Sequence, residues 1–329
     1  MTPASFELSQ PSKLRRVLRH GDLPWSVILI GMCLIVLLVM LGLGWSVWSG
    51  SADSRAAINS AQFLLPSGAG SWNPVSDVYN AWPIILGTLQ TALVAIVLAT
   101  PLAVFIAIFL AELCPDALRQ PLNFMVEMLA AVPSVVYGLW GIFVFLPVVV
   151  RPVGQFLGTY FGWLPMFSGT IPASGTSRLA AGLILTIMIL PTITAVTRDV
   201  LRAIPRAQRE ASSALGATPW ETISQVLLPF GVSGILGAVI LGLGRALGET
   251  MAVTMVIGNN TVEASGSLLR PGATLASVIA NEFAEAVTPL HSSTLIRLGL
   301  VLFIMTLFLN FVARFLVWRV SRSFVTEGR

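Results

Sequence analysis

The sequence EASSALGATPWETISQVLLP, residues 210–229, is a polar segment that lies between two long apolar runs. Gly216 is suited to the left-handed position that ends a helix, and Thr218 is suited to the N-cap of the next helix. Pro219 then occupies the first helical position, and Glu221 completes a capping box with Thr218. The segment therefore predicts two short helices that meet at a sharp elbow, rather than a loose loop.

Apolar runs of membrane-spanning length lie on both sides of the elbow. The chain has 329 residues, of which 55% are apolar and 10% charged, and its mean hydropathy is +0.85. A single soluble core does not bury that much apolar surface. A helix crosses the bilayer core of about 30 Å with about 20 apolar residues, and runs of this size occur at 25–48, 82–111, 128–150, 179–197, 231–257 and 294–318. The sequence therefore predicts an all-α polytopic membrane protein with six transmembrane helices.

Basic residues are divided unequally between the two ends of the predicted helices. With the N-terminus in the cytoplasm, 13 of the 19 Lys and Arg residues lie on the cytoplasmic side and Arg245 lies within the fifth run. The others lie on the outer side, at Arg55, Arg151, Arg178, Arg270 and Arg297. The positive-inside rule therefore places both termini and the elbow in the cytoplasm. Charges arranged in this way orient a membrane protein, so they do not predict nucleic-acid binding.

The fifth apolar run is the only one with charged residues well inside it, namely Arg245 and Glu249. These residues are four apart and would share one face of a continuous helix. A charge at the bilayer centre costs about 2.5 to 3.5 kcal/mol on insertion scales, so the pair predicts a role beyond stability. The guanidinium of Arg245 would offer a forked donor to a tetrahedral oxyanion. The alternative is an ion pair that only holds the fifth helix to a neighbour.

Glu249 allows two interpretations within an anion path. It would either balance the charge of Arg245 between transport events or accept a hydrogen bond from a protonated anion. Phosphate near neutral pH still carries OH groups and sulfate carries none, so an unpaired buried carboxylate would disfavour sulfate. The adjacent Thr250 is assigned to the same path.

The third apolar run is interrupted by Pro133 within EMLAAVPSVVYGLWG, residues 127–141. A proline inside a membrane helix frees a backbone carbonyl that lipid cannot satisfy, so the break should face other helices or a wet cavity. Polar side chains surround this break, including a carboxylate at Glu127 and a hydroxyl at Ser134. The predicted substrate path therefore comprises Arg245, Glu249, Glu127, Ser134 and Thr250.

The elbow resembles the EAA loop of ATP-binding-cassette importer permeases, in which Glu-Ala-Ala is followed by a glycine and then by Ile-x-Leu-Pro. The matching residues are Glu210, Ala211, Gly216, Leu228 and Pro229, and the conservative departures are Ser212 and Val226. Such loops carry a coupling helix that docks into a groove on a cytoplasmic ATPase. The resemblance implies that the ATPase-coupling residues are Glu210, Ala211, Gly216, Pro219, Trp220 and Glu221.

Three further strings are similar to the PstC-type permeases of bacterial phosphate importers. They are MLAAVPSVVYGLWG at 128–141, RALGETMAVTMVIGN at 245–259 and LLRPGATLASVIANEF at 268–283. The resemblance implies a type I ABC importer permease fold, inorganic phosphate as the cargo and a bacterial inner membrane location. It also implies three protein partners: a paralogous PstA-like permease, a cytoplasmic dimer of PstB-like ATPases and a periplasmic PstS-like phosphate-binding protein.

ATP hydrolysis is expected on another chain, because this one contains no G-x-x-x-x-G-K-[ST] phosphate-binding loop. The sequence therefore predicts a lipid-embedded transport subunit that is not an enzyme and that holds no cofactor or metal. The expected organisation is a cytoplasmic tail (1–23), a first transmembrane helix (24–49), a periplasmic loop (50–81), a five-helix permease core (82–318) with a cytoplasmic coupling loop (198–229), and a second cytoplasmic tail (319–329).

Two other transport functions are compatible with these residues. A permease for sulfate, molybdate or another oxyanion would keep the elbow and change only the path. An ion-coupled secondary transporter would use Arg245 and Glu249 as a charge relay. An intramembrane enzyme is disfavoured, because the sequence contains no Ser/His, HExxH or paired-Asp arrangement typical of such sites.

Overall fold

The computed structural model of the protein describes residues 22–66 and 72–326. Within these ranges the regular structure is helical, apart from one isolated antiparallel bridge between Asn73 and Val78. Most of the predicted N-terminal tail lies outside the described residues. The predicted C-terminal tail is helical as far as Thr326, and its last three residues also lie outside the description.

The described helices follow one another with few long connections. They are α1 (Asp22–Gly50), α2 (Ala52–Ala57), α3 (Ser60–Leu64), α4 (Trp82–Ile108), α5 (Asp116–Ala131), α6 (Ser134–Trp140), α7 (Arg151–Phe161), α8 (Arg178–Ala203), α9 (Arg206–Ala214), α10 (Pro219–Glu221), α11 (Leu228–Gly248), α12 (Met251–Ile257), α13 (Leu275–Glu282) and α14 (Pro289–Thr326). Wider π-helical turns extend α4, join α6 to α7 and join α10 to α11, at Phe109–Leu113, Gly141–Val150 and Thr222–Leu227.

Six of the described helical stretches are long and apolar enough to cross a membrane. They are Trp25–Gly50, Trp82–Leu113, Ser134–Phe161, Arg178–Ala203, Pro219–Gly248 and Pro289–Arg319. The prediction of an all-α polytopic membrane protein with six transmembrane helices is therefore confirmed.

Several predicted span boundaries differ from the observed ones by five residues or more, and two of these differences bear on the predicted substrate path. The third span begins at Ser134 rather than at residue 128, because Pro133 is extended and separates the span from α5. The fifth span ends at Gly248 rather than at residue 257, because Glu249 has a ψ of 127° and leaves the helix. Both breaks fall beside residues of the predicted substrate path, so they shape that site directly.

The chain forms two compact units, residues 1–49 and 50–329. In the first unit, α1 carries no charged residue between Trp25 and Trp48. An all-round apolar surface is typical of a helix that lipid surrounds.

The core of the second unit is built around α8. Its large apolar side chains are buried against α4 and α11, and Ile184, Ile189 and Ile193 are fully enclosed. The facing side of α4 is a stripe of buried alanines, which are Ala92, Ala95, Ala99, Ala103 and Ala107. Small residues at this spacing let two helices approach closely, and such contacts are the main packing force between helices in lipid.

Two buried arginines fasten the loops at the end of the bundle opposite the elbow, here called the loop end. Arg178, at the start of α8, is fully enclosed. Its terminal amino groups donate to the backbone carbonyls of Glu263 at 2.7 Å, Ser267 at 3.3 Å and Ser265. A side chain at Gly272 would collide with this guanidinium. Arg178 thereby holds the connection between α12 and α13 against the bundle.

Arg297 fastens the other loop in the same manner. It lies on α14, is buried, and donates to the carbonyls of Ser54 and Ile58, both at 3.0 Å, and to the hydroxyl of Ser60 at 3.0 Å. Its guanidinium carbon also lies 4.2 Å from the centre of the Phe63 ring. The segment that contains α2 and α3 is therefore tied to the last span.

Candidate functional site

The elbow between α9 and α11 has the local geometry that the sequence predicts. Gly216 has a φ of +85°, which ends α9 in the left-handed region. The Thr218 hydroxyl accepts from the Glu221 backbone N–H at 3.3 Å, and the Glu221 carboxylate accepts from the Thr218 N–H at 2.7 Å. Both halves of the capping box are therefore present, and Pro219 lies at the first helical position. A hydrogen bond of 2.9 Å between the Ser212 and Thr222 hydroxyls joins the two arms.

The tip of the elbow presents apolar side chains to its surroundings. Leu215 is 90% exposed and Trp220 is 58% exposed. Every residue that the resemblance assigns to ATPase coupling is exposed on the same segment, namely Glu210, Ala211, Gly216, Pro219, Trp220 and Glu221. Large apolar groups on an otherwise polar hairpin are typical of a docking surface.

An ion pair anchors the elbow to the bundle. The guanidinium of Arg209 on α9 donates to both carboxylate oxygens of Glu112, at 2.7 and 3.1 Å. It also donates to the carbonyls of Leu201 at 2.7 Å and Ile204 at 2.6 Å. Glu112 lies in the π-helical turn that ends the α4 span. Sequence reasoning missed this pair, because its members are 97 residues apart and no local pattern connects them.

The second polar site lies halfway along the spans. The Arg245 guanidinium donates to the Thr192 hydroxyl on α8 at 3.2 Å, and it is partly buried. Thr192 lies 14 residues after the start of α8 at Arg178 and 11 residues before its end at Ala203. Arg245 is therefore close to the middle of that span. Its other N–H groups make no hydrogen bond within the described part of the chain, so they remain available to an anion.

Glu249 does not share a helix face with Arg245, and this expectation is wrong. Because α11 ends at Gly248, the Glu249 side chain turns toward the start of α12, where one carboxylate oxygen accepts from the Ala252 N–H at 3.3 Å. The first N–H groups of a helix lack partners within the helix and attract negative charge. Among the described residues, Arg245 and Glu249 form no ion pair with each other or with any other group.

The starts of α6 and α12 lie side by side. A Cβ on Gly138 would approach the Ala252 Cα to 3.2 Å, and a Cβ on Gly141 would approach the Val256 side chain to 2.9 Å. These pairs advance in the same direction along both helices, so the two helices run parallel, with the fifth residue of α6 beside the second residue of α12. Ser134 opens α6 and Thr250 precedes α12, and both are partly buried.

The site therefore gathers Ser134, Glu249 and Thr250 at two neighbouring helix starts. Arg245 is linked to the same place through Tyr137 of α6, whose phenol lies within electrostatic range of the guanidinium. The Tyr137 hydroxyl itself donates to the carbonyl of Leu129 at 2.9 Å, across the Pro133 break. Ser134, Glu249 and Thr250 thus lie at or next to the starts of two adjacent helices, and Arg245 lies on α11, the helix that leads into α12.

Glu127 is the fifth residue of the predicted path, and it belongs to a separate ionic cluster nearer the elbow. Its carboxylate accepts from both terminal amino groups of Arg198 at 3.3 Å. The Arg198 guanidinium also donates to Asn123 at 2.9 Å and to Asp199 at 2.9 Å. Arg198 lies six residues after Thr192 on α8, about 9 Å along the helix axis. Sequence reasoning missed Arg198, because it stood among the charges that end the fourth span and set topology.

Comparison with known proteins identifies the family and the fold of the chain. Residues 103–324 match the family model described as binding-protein-dependent transport system inner membrane component. The phosphate transport system permease protein PstC of Mesorhizobium japonicum is 42% identical over 290 residues, covering 88% of this chain and 87% of that protein. The protein of the same name from Pasteurella multocida is 43% identical over 298 residues, covering 90% of each.

A solved bacterial alginate ABC transporter, in complex with a periplasmic protein bound to alginate pentasaccharide, shares the fold. Its superposed chain has a TM-score of 0.59 and 16% identity, and covers 92% of this chain and 97% of that one. This likeness confirms the ABC importer permease fold, and the family match confirms a transport subunit rather than an enzyme. The chain belongs to the family of binding-protein-dependent transport system inner membrane components, and within it to the PstC-type permeases.

Proposed function

We propose that the chain is the permease subunit of an ATP-driven importer and that it lines the path of inorganic phosphate. The proposal rests on the hydrogen bonding of Arg245. Its guanidinium lies at the middle of the spans and donates a single hydrogen bond, to the Thr192 hydroxyl. A forked cation with free donors suits a tetrahedral oxyanion. The names of the Mesorhizobium and Pasteurella relatives, phosphate transport system permease protein, support phosphate as that oxyanion.

The groups around Arg245 supply complementary contacts to a protonated phosphate. One Glu249 oxygen is occupied by the Ala252 N–H, and the other accepts no hydrogen bond within the described residues. That second oxygen would accept from a phosphate OH, while the hydroxyls of Ser134 and Thr250 would donate to or accept from the remaining oxygens. Sulfate offers no OH, so it would leave the carboxylate unpaired beside a second anion.

A permease for sulfate or molybdate would share the elbow and Arg245. The free Glu249 oxygen favours phosphate over these anions, because the others carry no proton to share with it near neutral pH. An ion-coupled secondary transporter using Arg245 and Glu249 as a relay is less well supported, since the two groups are not in contact and the elbow would have no motor to engage.

Glu127 enters the proposal with its partner Arg198. Their cluster lies about 9 Å from the level of Arg245 toward the elbow, and it joins α5 to α8. We assign it to the inner end of the path. When α5 and α8 separate, Arg198 would become free to receive the anion that leaves Arg245.

The exposed elbow would receive the motor. Leu215 and Trp220 at its tip suit a groove on a PstB-like ATPase dimer, and Arg209 with Glu112 would pass the motion to the bundle. Under this proposal both termini would lie in the cytoplasm, as the distribution of basic residues predicts. The loop end would then face a PstS-like phosphate-binding protein, and a PstA-like permease would complete the path.

Gly216 offers a direct test of the coupling role. A β-branched residue strains the left-handed backbone by about 1 to 2 kcal/mol, so Gly216→Val should distort the elbow without affecting the spans. We expect normal membrane insertion and loss of ATPase co-purification. Gly216→Asn is the matched control, because asparagine tolerates this conformation, and it should retain the ATPase. Normal co-purification with Gly216→Val would remove the elbow from the docking surface.

The transport proposal is tested by uptake of labelled phosphate into vesicles that contain the whole importer, with sulfate as the competitor. ATP-dependent uptake that excess sulfate does not reduce is the expected result. Sulfate uptake, or complete inhibition by sulfate, would support the other oxyanion function. Uptake that continues without the ATPase but follows an ion gradient would support a secondary transporter.

A further inference from the structure

A second basic site lies at the elbow end of the bundle, away from Arg245. A cavity of about 480 Å³ opens there between the ends of α4 and α8 and the starts of α5 and α9. Its charged lining consists of four arginines and two glutamates, which are Arg119, Arg202, Arg206, Arg209, Glu112 and Glu210. Positive charge is therefore in excess within a volume large enough for a small hydrated anion.

The arginines of this cavity are unequally neutralised. Arg209 is fully engaged by Glu112 and by backbone carbonyls. Arg119 forms an ion pair with Asp116 at 2.7 Å and donates to the Cys114 carbonyl at 2.9 Å, yet its Nε atom is buried without a partner.

The two remaining arginines retain free donors. Arg202 donates once, to the carbonyl of Leu110 at 3.0 Å. Arg206 makes no hydrogen bond or ion pair within the part of the chain that the structure describes. Glu210, one helical turn away, does not form an ion pair with it there. At least two forked cations in one cavity therefore lack an anionic partner.

We propose that this cavity binds a phosphate group. Guanidinium forks match the geometry of phosphate oxygens, and two incompletely paired arginines match its charge. The cavity lies where the apolar part of the α4 span ends, so its opening is at the level of a bilayer surface. Both inorganic phosphate from solution and the phosphate of an anionic lipid headgroup reach such a position, and they share the same chemistry.

Occupancy of the cavity would tie the elbow to the spans. Arg206 lies on α9, which is part of the elbow, whereas Arg202 lies at the end of α8. A phosphate held between them would add a second link beside the Arg209–Glu112 pair. Under the proposed function this end is cytoplasmic, so the transported anion itself would restrain the elbow when it accumulates inside.

Hydrogen exchange of the α9 amides measures this binding locally and without transport. The whole importer is placed in nanodiscs of phosphatidylcholine, without ATP, and millimolar phosphate is compared with chloride at equal ionic strength. We expect severalfold slower exchange in 206–214 with phosphate, because bound ligand opposes local opening. The Arg202→Gln/Arg206→Gln variant should lose this protection. Arg314→Gln, an exposed arginine outside the cavity, and Arg245→Gln should both keep it.

A second arm identifies the source of the phosphate group. Nanodiscs that contain phosphatidylglycerol are measured without free phosphate, and protection that depends on Arg202 and Arg206 would assign the site to the lipid headgroup. The proposal is overturned by an absence of protection in both arms or by equal protection in the double variant. None of these outcomes affects the uptake test of the proposed function.

Discussion

Arginines at two levels of the bundle have opposite surroundings. At the loop end, Arg178 and Arg297 are buried, and the terminal amino groups of each donate hydrogen bonds to three oxygens of neighbouring segments. At the middle of the spans, Arg245 is only partly buried and donates once, to Thr192. The sequence separates Arg245 from the other two only by its position inside an apolar run, whereas hydrogen bonding shows that the three arginines are of two kinds.

The difference indicates what each arginine does. A buried guanidinium whose two terminal amino groups both donate to oxygens of neighbouring segments holds those segments in place and presents no free fork to a ligand. One that keeps its donors in a membrane span has a desolvation cost that its own partners do not offset, so its presence requires another partner. We infer that this partner is the transported anion. Substitutions at the two levels should therefore separate loss of the fold from loss of transport.

The largest effect is expected at Arg178. Arg178→Met removes the donor from three loop carbonyls, of which that of Ser267 is buried and the other two partly buried, and each buried carbonyl left unsatisfied costs about 1 to 3 kcal/mol. We expect the free energy of unfolding to fall by about 3 kcal/mol or more, seen as a lower thermal midpoint and a smaller folded yield in detergent.

Arg270→Met is the matched control for Arg178. Arg270 belongs to the same loop but makes a half-exposed ion pair of 3.0 Å with Glu263, which is worth about 1 kcal/mol at most. Equal thermal midpoints for the two variants would contradict the loop-holding role of Arg178.

The next effect is expected at Arg245 and should appear in transport alone. Arg245→Gln removes charge-assisted hydrogen bonds worth about 1.5 to 3 kcal/mol, which corresponds to roughly 10- to 150-fold in uptake rate. The thermal midpoint should stay near that of the unmodified chain, because Arg245 has a single internal hydrogen bond to lose. Labelled phosphate uptake at matched expression measures the effect.

Arg245→Lys sharpens the same test. It keeps the charge but loses the fork, so partial uptake is expected if geometry matters as well as charge. If uptake is unchanged with Arg245→Gln, Arg245 is a structural residue like Arg178. The proposed difference in function between the arginines at the two levels would then be wrong.

A smaller effect is expected at Glu249, on selectivity rather than stability. Glu249→Gln keeps an acceptor for the Ala252 N–H and replaces the free carboxylate oxygen with an NH₂ donor. Sulfate should then compete with phosphate uptake several times more strongly than in the unmodified importer. If both uptake and sulfate competition are unchanged, Glu249 only caps α12.

The elbow and the spans could be predicted from sequence because their signals are local. Gly216, Thr218 and Glu221 lie within six residues of one another, and their roles depend only on backbone geometry in that segment. The spans follow from composition alone. The two helix breaks, at Pro133 and after Gly248, are not equally visible in the sequence. Proline marks the first break, but nothing in the run GETMAV marks the second.

The contacts within the site could not be predicted from local sequence patterns, because they join residues that are far apart in the chain. Glu127 and Arg198 are 71 residues apart, and Arg178 reaches loop carbonyls more than 80 residues away. Residue type and spacing identified Arg245 as a charge inside a membrane span. They did not show whether its N–H groups are free or are already hydrogen-bonded within the protein, as the terminal amino groups of Arg178 are. That distinction requires knowing which oxygens surround each guanidinium.

The smallest effect is expected at Glu127. Its partner Arg198 is buried, as Arg178 and Arg297 are, but it donates to side chains rather than to loop oxygens. The Arg198 side chain is 8% exposed and has three polar partners, whereas the Glu127 side chain is 56% exposed. Solvent screening limits this pair to about 1 kcal/mol, and Asn123 and Asp199 would still hold Arg198 in Glu127→Gln. Phosphate uptake should therefore change by less than about fivefold. A loss as large as that of Arg245→Gln would instead mean that the Glu127 carboxylate itself faces the moving anion.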